Sequence, residues 1–150
     1  MPEDEEPTEP AAPPEAVLEA LPEAVLEAPP AALLDAEIRR LGDRLRSMSL
    51  ERLAGPSASG GSRAEAAHRL GQELAEAAGR LAGLSSEAGP PTDLEVPYLG
   101  EMYAGDQLVV LGREVLRSAE AALESGADRA LVDEELADAG SRCRLLRLEL

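Results

Sequence analysis

Alanine and leucine supply most of the apolar side chains of this sequence, and that restricts what it can fold into. Of its 66 apolar residues, 27 are alanine and 25 are leucine, whereas valine contributes seven, isoleucine one, and phenylalanine and tryptophan none. Strands favour β-branched and aromatic side chains, and alanine and leucine are among the strongest helix formers. The composition therefore predicts an all-α fold and argues against a β-sandwich.

Apolar residues recur at helical spacing in four segments of the chain. The predicted helices lie near residues 31–54, 63–84, 106–125 and 128–148. Asp106 and Asp128 are suitable N-cap residues for the third and fourth helices, and Gly140 is a candidate for a kink or an end in the fourth. The glycines expected to admit a closely packed neighbour are Gly71, Gly79 and Gly83. Four amphipathic helices predict a small bundle or two helical hairpins.

Negative charge is concentrated at the N-terminus. The formal net charge is −16, and residues 1–30 contain nine acidic residues, eight of the 12 prolines and no basic residue. A segment of this composition cannot bury enough apolar surface to offset the conformational entropy that ordering would cost. We therefore predict a disordered acidic tail at residues 1–30, followed by a helical domain at residues 31–150.

The same composition limits the partners. An acidic surface repels phosphate backbones and anionic membranes, and no stretch approaches 18 uninterrupted apolar residues. The acidic N-terminus lacks the basic start of a secretory signal, and the single Cys143 offers no internal disulfide. A core without phenylalanine or tryptophan buries little area per residue. We expect a cytoplasmic protein that binds neither nucleic acid nor membranes and gains further burial from a protein partner or from self-association.

The sequence contains no set of residues typical of an active site. His68 and Cys143 are the only histidine and cysteine and stand 75 residues apart, which does not fit zinc-ligand spacing. Phosphate-binding glycine loops and the common hydrolase motifs are absent. Glu134, Glu135 and Asp138 resemble part of a carboxylate metal site, but the Glu-x-x-His of di-iron bundles is missing. We predict a protein that is not an enzyme and that holds no cofactor or metal.

The stretch from Tyr98 to Gln107 is the least regular one that still contains large side chains. It contains both tyrosines, which are the only aromatic residues of the chain, and aromatic side chains are frequent anchors of interfaces. The predicted partner-binding residues are Tyr98, Tyr103, Gly105, Asp106 and Gln107. In the alternative interpretation, the stretch is an ordinary connector whose tyrosines cover the end of the bundle.

The first predicted helix contains a second pattern. It is carried by Leu34, Ile38, Leu41, Gly42, Asp43 and Leu45, within 12 residues of the 150. This pattern resembles the BH3 motif of apoptosis regulators. The resemblance implies that the four large apolar residues enter a groove on a Bcl-2-type protein, that Gly42 permits close packing, and that Asp43 pairs with an arginine of that groove. A BH3-motif regulator is therefore the alternative function.

A broader pattern extends over residues 35–124. Its most specific part is the junction Val96-Pro97-x-Leu99-Gly100, followed by Gly105-Asp106-Gln107-Leu108. The arrangement resembles small uncharacterised helical proteins of high-GC actinobacteria, which combine an Arg/Leu helix, an Ala-rich helix and such a junction. The resemblance implies a fold and a source but no activity, and it directs attention to the junction.

Overall fold

The computed structural model describes residues 28–85 and 95–150, and this part of the chain is all-α. The five α-helices of these two ranges are α1 (Pro30–Arg46), α2 (Leu50–Ala54), α3 (Arg63–Ser85), α4 (Ala104–Glu124) and α5 (Arg129–Glu149), with a 3₁₀ turn at Glu101–Tyr103 before α4. The described ranges contain no strand, only one isolated bridge between Pro56 and Ser62. The predicted acidic tail lies outside the described residues up to residue 27.

The single helix predicted for residues 31–54 is interrupted. Helix α1 ends at Arg46, and Ser49 takes an extended conformation in which its hydroxyl accepts a hydrogen bond of 3.3 Å from the Arg52 N–H. A serine cap of this kind begins a new helix, here α2. The apolar pattern did not reveal the break because Met48 is still buried in the core between the two helices.

Of the two predicted N-cap residues, Asp106 and Asp128, the structure confirms one. Asp128 caps α5, since its carboxylate accepts a hydrogen bond of 2.9 Å from the Ala130 N–H. The prediction for Asp106 is wrong, because α4 begins two residues earlier and Asp106 lies in its first turn. An acidic side chain is favoured there by the helix dipole. Helix α5 also continues through Gly140 without ending.

Helices α1 and α5 lie side by side and run in the same direction. A Cβ placed on Gly140 would lie 3.7 Å from the Cα of Leu34, near the start of α1. Ten residues further along both helices, Arg44 Nη2 donates a hydrogen bond of 2.9 Å to the carbonyl oxygen of Leu150. The residue numbers increase together along the contact, so the two helices are parallel.

Helix α4 runs antiparallel to α1. Gly112 of α4 faces Ile38 in the middle of α1, and Asp106 at the start of α4 accepts a hydrogen bond of 2.7 Å from Nε of Arg46 at the end of α1. Gly112 is required by this packing, since a Cβ there would lie 2.6 Å from Ile38 Cγ1. The contact between α1 and α4 is therefore close because the residue between them is small.

Helix α3 runs antiparallel to α5. Arg80 donates hydrogen bonds of 2.9 and 3.1 Å to Glu135, and Arg142 donates one of 2.7 Å to Glu73. It follows that α3 and α4 are parallel although they are consecutive, so α4 begins at the same end of the bundle as α3. The fold is thus a bundle with one long crossover, the first of the two predicted architectures.

The interior of the bundle is built from leucine, alanine and valine. Helix α3 packs most extensively against α4, and α1 packs against both α5 and α4. Of the glycines predicted to admit a neighbour, Gly71 does so, since a Cβ there would lie 3.1 Å from Leu111 Cδ1. None of the helices in the described ranges is both long and apolar enough to cross a bilayer.

Cys143 is completely buried between α5 and its neighbours, which leads to a prediction about its reactivity. Burial, reinforced by the negative charge of Glu37, raises the pKa of the Cys143 thiol to about 12. Because the thiolate is the reactive form, the native protein should react with a disulfide reagent at pH 8 at least about a hundred times more slowly than the urea-unfolded chain, whose thiol pKa is about 8.5. Comparable rates in the two states would mean that the face of α5 that contains Cys143 is not packed into the core.

Candidate functional site

The described end of the crossover, residues 95–103, lies against α3 and α4. The Val96 N–H donates a hydrogen bond of 2.9 Å to Oε1 of Gln72 on α3, and Nε2 of Gln107 on α4 donates one of 2.8 Å to the carbonyl oxygen of Pro97. Val96 itself is buried. Two helices therefore hold this irregular segment in place, which satisfies backbone groups that no helix or strand would pair.

Both tyrosines stand at the surface of this segment. Tyr98 is 51% exposed and Tyr103 is 48% exposed. The rings of Tyr98 and His68 meet edge to face with centroids 5.3 Å apart, so one side of Tyr98 is fixed against α3. Partial burial, and after it the negative charge of Glu101 and Glu65, raises the pKa of the Tyr98 phenol above its ordinary value. This tyrosine is both a packing residue and an exposed side chain.

An apolar groove of about 520 Å³ lies between the crossover segment, α3 and α4. We call it the crossover groove, and its lining residues are Ala75, Glu95, Val96, Pro97, Leu99, Tyr103, Asp106, Gln107, Val110 and Leu111. Val110 is 65% exposed, and Leu99 is also largely exposed. The groove combines a mostly apolar surface with a few polar groups, a combination typical of binding sites.

Three of the five predicted partner-binding residues line the crossover groove, namely Tyr103, Asp106 and Gln107. Tyr98 lies on the same segment but contacts His68 instead of lining the groove. Gly105 does not belong to the surface at all. It is buried against α1, where a Cβ would lie 3.0 Å from the carbonyl oxygen of Gly42, so its small size serves packing between helices.

Sequence reasoning missed the apolar residues of the groove. Val110 lies outside the apolar stripe of its helix. That position was the only indication in the sequence that its side chain faces outward. Ala75 is on α3, 28 residues before Tyr103 along the chain, so nothing local relates these two residues. Their proximity follows from the parallel arrangement of α3 and α4.

The groove offers polar and apolar contacts to a bound molecule, but its lining residues do not form a recognisable catalytic arrangement. Tyr103, Asp106 and Gln107 offer hydroxyl, carboxylate and amide groups to a bound molecule, without a nucleophile next to a base. Family models, curated proteins and solved structures give no match to this chain. The geometry of its own surface is therefore the basis for a functional proposal.

The BH3-like residues occupy the core. Those that are buried are Leu34, Ile38, Leu41, Gly42 and Leu45. They face α4 and α5, and Gly42 fits there because it has no side chain, since a Cβ would lie 2.5 Å from Val109 Cγ2. Asp43 is exposed and pairs at 3.4 Å with Arg46 of its own helix. An outside groove could bind this face only after α1 had left the bundle.

Two of the three carboxylates considered for a metal site are instead paired with arginines, Glu135 across the seam between α3 and α5 and Asp138 within α5. Glu135 accepts hydrogen bonds from Arg80, and Asp138 accepts one of 2.9 Å from Arg142. Across the described ranges, no group of three or more histidine, cysteine, aspartate or glutamate side chains is arranged to hold a metal ion. A wider groove of about 890 Å³ at this seam is lined largely by charged residues.

Proposed function

We propose that this protein is not an enzyme and acts through protein contact, with the crossover groove as its binding surface. The observation that carries the proposal is the exposure of Leu99, Tyr103 and Val110 around one apolar groove. Apolar side chains gathered in this way on a soluble protein commonly mark an interaction site. The bound molecule is a protein partner or a second copy of the chain.

The way the groove is held supports this role. Gln72 and Gln107 fix the crossover segment to two long helices, so little conformational entropy remains to be lost on binding. A surface that is already in its binding conformation loses less free energy to ordering when it binds, so the affinity is higher for the same contacts. Tyr103 provides a large side chain with a polar end, a combination frequent at the centre of interfaces.

A cytoplasmic location and the absence of nucleic acid from the partners belong to the same proposal. The single Cys143 leaves no internal disulfide to mark an oxidising compartment. The net charge of −16 opposes binding to a phosphate backbone.

The test replaces the two tyrosines and compares the result with a matched surface change. The full-length chain, tagged, is used to capture partners from a lysate of the source cells, in parallel with Tyr98→Ala/Tyr103→Ala. The control is Leu145→Ala/Leu148→Ala, which removes two exposed apolar side chains from α5. The loss of one interface anchor worth about 2 kcal/mol or more predicts at least about thirtyfold weaker binding of the partner by the tyrosine variant, and no loss is expected for the control.

Sedimentation equilibrium covers the case of self-association, in which a dimer should become a monomer in the tyrosine variant only. Helicity at 222 nm should stay unchanged. A wild-type chain that is monomeric and captures no protein through these tyrosines would overturn the proposal. Loss of helicity in the tyrosine variant would instead support the interpretation of the segment as a structural connector.

A further inference from the structure

We infer that the crossover groove binds a protein segment with a short apolar anchor flanked by positive charges. This inference rests on the proposed function, and it specifies the chemistry of the partner. Three observations support this partner chemistry. They are the acidic groups at the rim of the groove, the negative charge of the whole chain, and the size of the apolar surface.

The rim of the groove is acidic. Among the described residues that line it, Glu95 and Asp106 are acidic and none is basic. Asp106 is paired with Arg46, so Glu95 contributes the larger share of uncompensated charge. Glu101, on the 3₁₀ turn, lies in the chain between the lining residues Leu99 and Tyr103, and its negative charge helps to raise the pKa of the Tyr98 phenol. A cation at the end of an apolar anchor would be attracted to this rim.

The charge of the whole chain disfavours a second copy as the occupant. Each copy has a net charge of −16, so two copies repel each other as they approach, whereas a cationic segment is drawn in. Anionic ligands and acidic peptides meet the same repulsion. Charge complementarity therefore selects a basic partner among the protein segments that could place an apolar side chain in the groove.

The size of the groove limits the anchor to a few side chains. Its volume of about 520 Å³ lies within the range of about 300–1,000 Å³ that holds a compact ligand. An amphipathic helix that enters with two or three leucines and holds arginine or lysine at the edges matches this shape.

The two tyrosines make the test direct. The chain has no tryptophan, and Tyr98 and Tyr103 are its only tyrosines, so its intrinsic fluorescence reports on the groove and its border. The probes are two synthetic peptides of about 16 residues without aromatic residues. Both have the same leucine stripe at helical spacing, one with lysine and the other with glutamate at the remaining positions. The full-length chain is titrated with each peptide.

The lysine peptide should change the tyrosine emission and bind at least about tenfold more tightly than the glutamate peptide. Two variants distinguish the groove from general attraction to an acidic chain. Val110→Arg places a positive charge in the groove, and Leu148→Arg places one on a side chain of equal exposure, 65%, on α5. We expect about tenfold weaker binding for Val110→Arg and nearly unchanged binding for Leu148→Arg.

The other outcomes overturn the inference in different ways. Equal weakening in both variants would mean that the peptide binds the acidic surface at large. Equal affinity for the two peptides would remove the charge preference and leave the proposed function standing. No binding of the lysine peptide would also overturn the inference, and the capture experiment would then decide separately whether the groove binds protein.

Discussion

Replacing Leu41 by alanine is expected to lower the free energy of unfolding by about 2–5 kcal/mol. Leu41 is only 1% exposed and lies in the core on the face of α1 that packs against α4 and α5. The substitution leaves a cavity that neighbouring helices can fill only in part. Because small domains have a total stability of about 5–15 kcal/mol, urea unfolding followed at 222 nm should show a clearly lower midpoint.

Two other residues serve as controls for Leu41→Ala. Leu148→Ala changes an exposed leucine and should alter the stability by less than about 0.5 kcal/mol. Asp43→Ala removes a carboxylate whose side chain is 79% exposed and whose ion pair with Arg46 is at the surface, so it should cost less than about 1 kcal/mol. An unchanged midpoint for Leu41→Ala would mean that the BH3-like face is not part of the core and is available to a partner.

Gly112→Ala should destabilise the protein by about 1–3 kcal/mol, although alanine is the better helix former. The new Cβ would lie 2.6 Å from Cγ1 and 3.1 Å from Cγ2 of Ile38, so either that buried side chain or the whole of α1 has to move. A helix interior without such a neighbour would gain about 1 kcal/mol from the same substitution. Thermal and urea unfolding of the variant measure the difference.

Gly140 provides the matched control, because it lies inside α5 and a Cβ there would have its nearest neighbour at 3.7 Å. Gly140→Ala should therefore leave the stability unchanged or raise it. Combining Gly112→Ala with Ile38→Ala should cost less than the sum of the two single changes, by about 1 kcal/mol or more. Strict additivity would show that Gly112 and Ile38 do not meet, and with it that α4 does not pack closely on α1.

The BH3-like pattern shows that a local pattern does not by itself determine which surface a helix packs against. A stripe of leucines with a glycine and an aspartate is equally suited to a groove on another protein and to one within the same chain. Here α4 and α5 form that groove, and Gly42 meets Gly105 and Val109 inside it. Asp43 pairs with Arg46, and the same arginine pairs with Asp106.

The crossover groove could be anticipated only in part. The stretch that contains Tyr103, Asp106 and Gln107 could be predicted as a binding surface, because it contains both of the chain's tyrosines. The sequence alone could not assign Gly105 to a contact between helices, and it could not show that Ala75 and Val110 complete the groove. These contacts join residues that are far apart along the chain, or they involve residues for which helical spacing does not decide between the core and the surface.

What the sequence by itself determined is the local structure. Helical spacing and the scarcity of strand formers specified the all-α fold, and Asp128 marked the start of α5, because hydrogen bonds within a helix and at its cap join residues only a few positions apart. The break at Ser49, the parallel pairs α1 with α5 and α3 with α4, and the crossover groove were decided by the tertiary structure. They depend on which apolar faces meet, and that choice is made when the whole core is buried together.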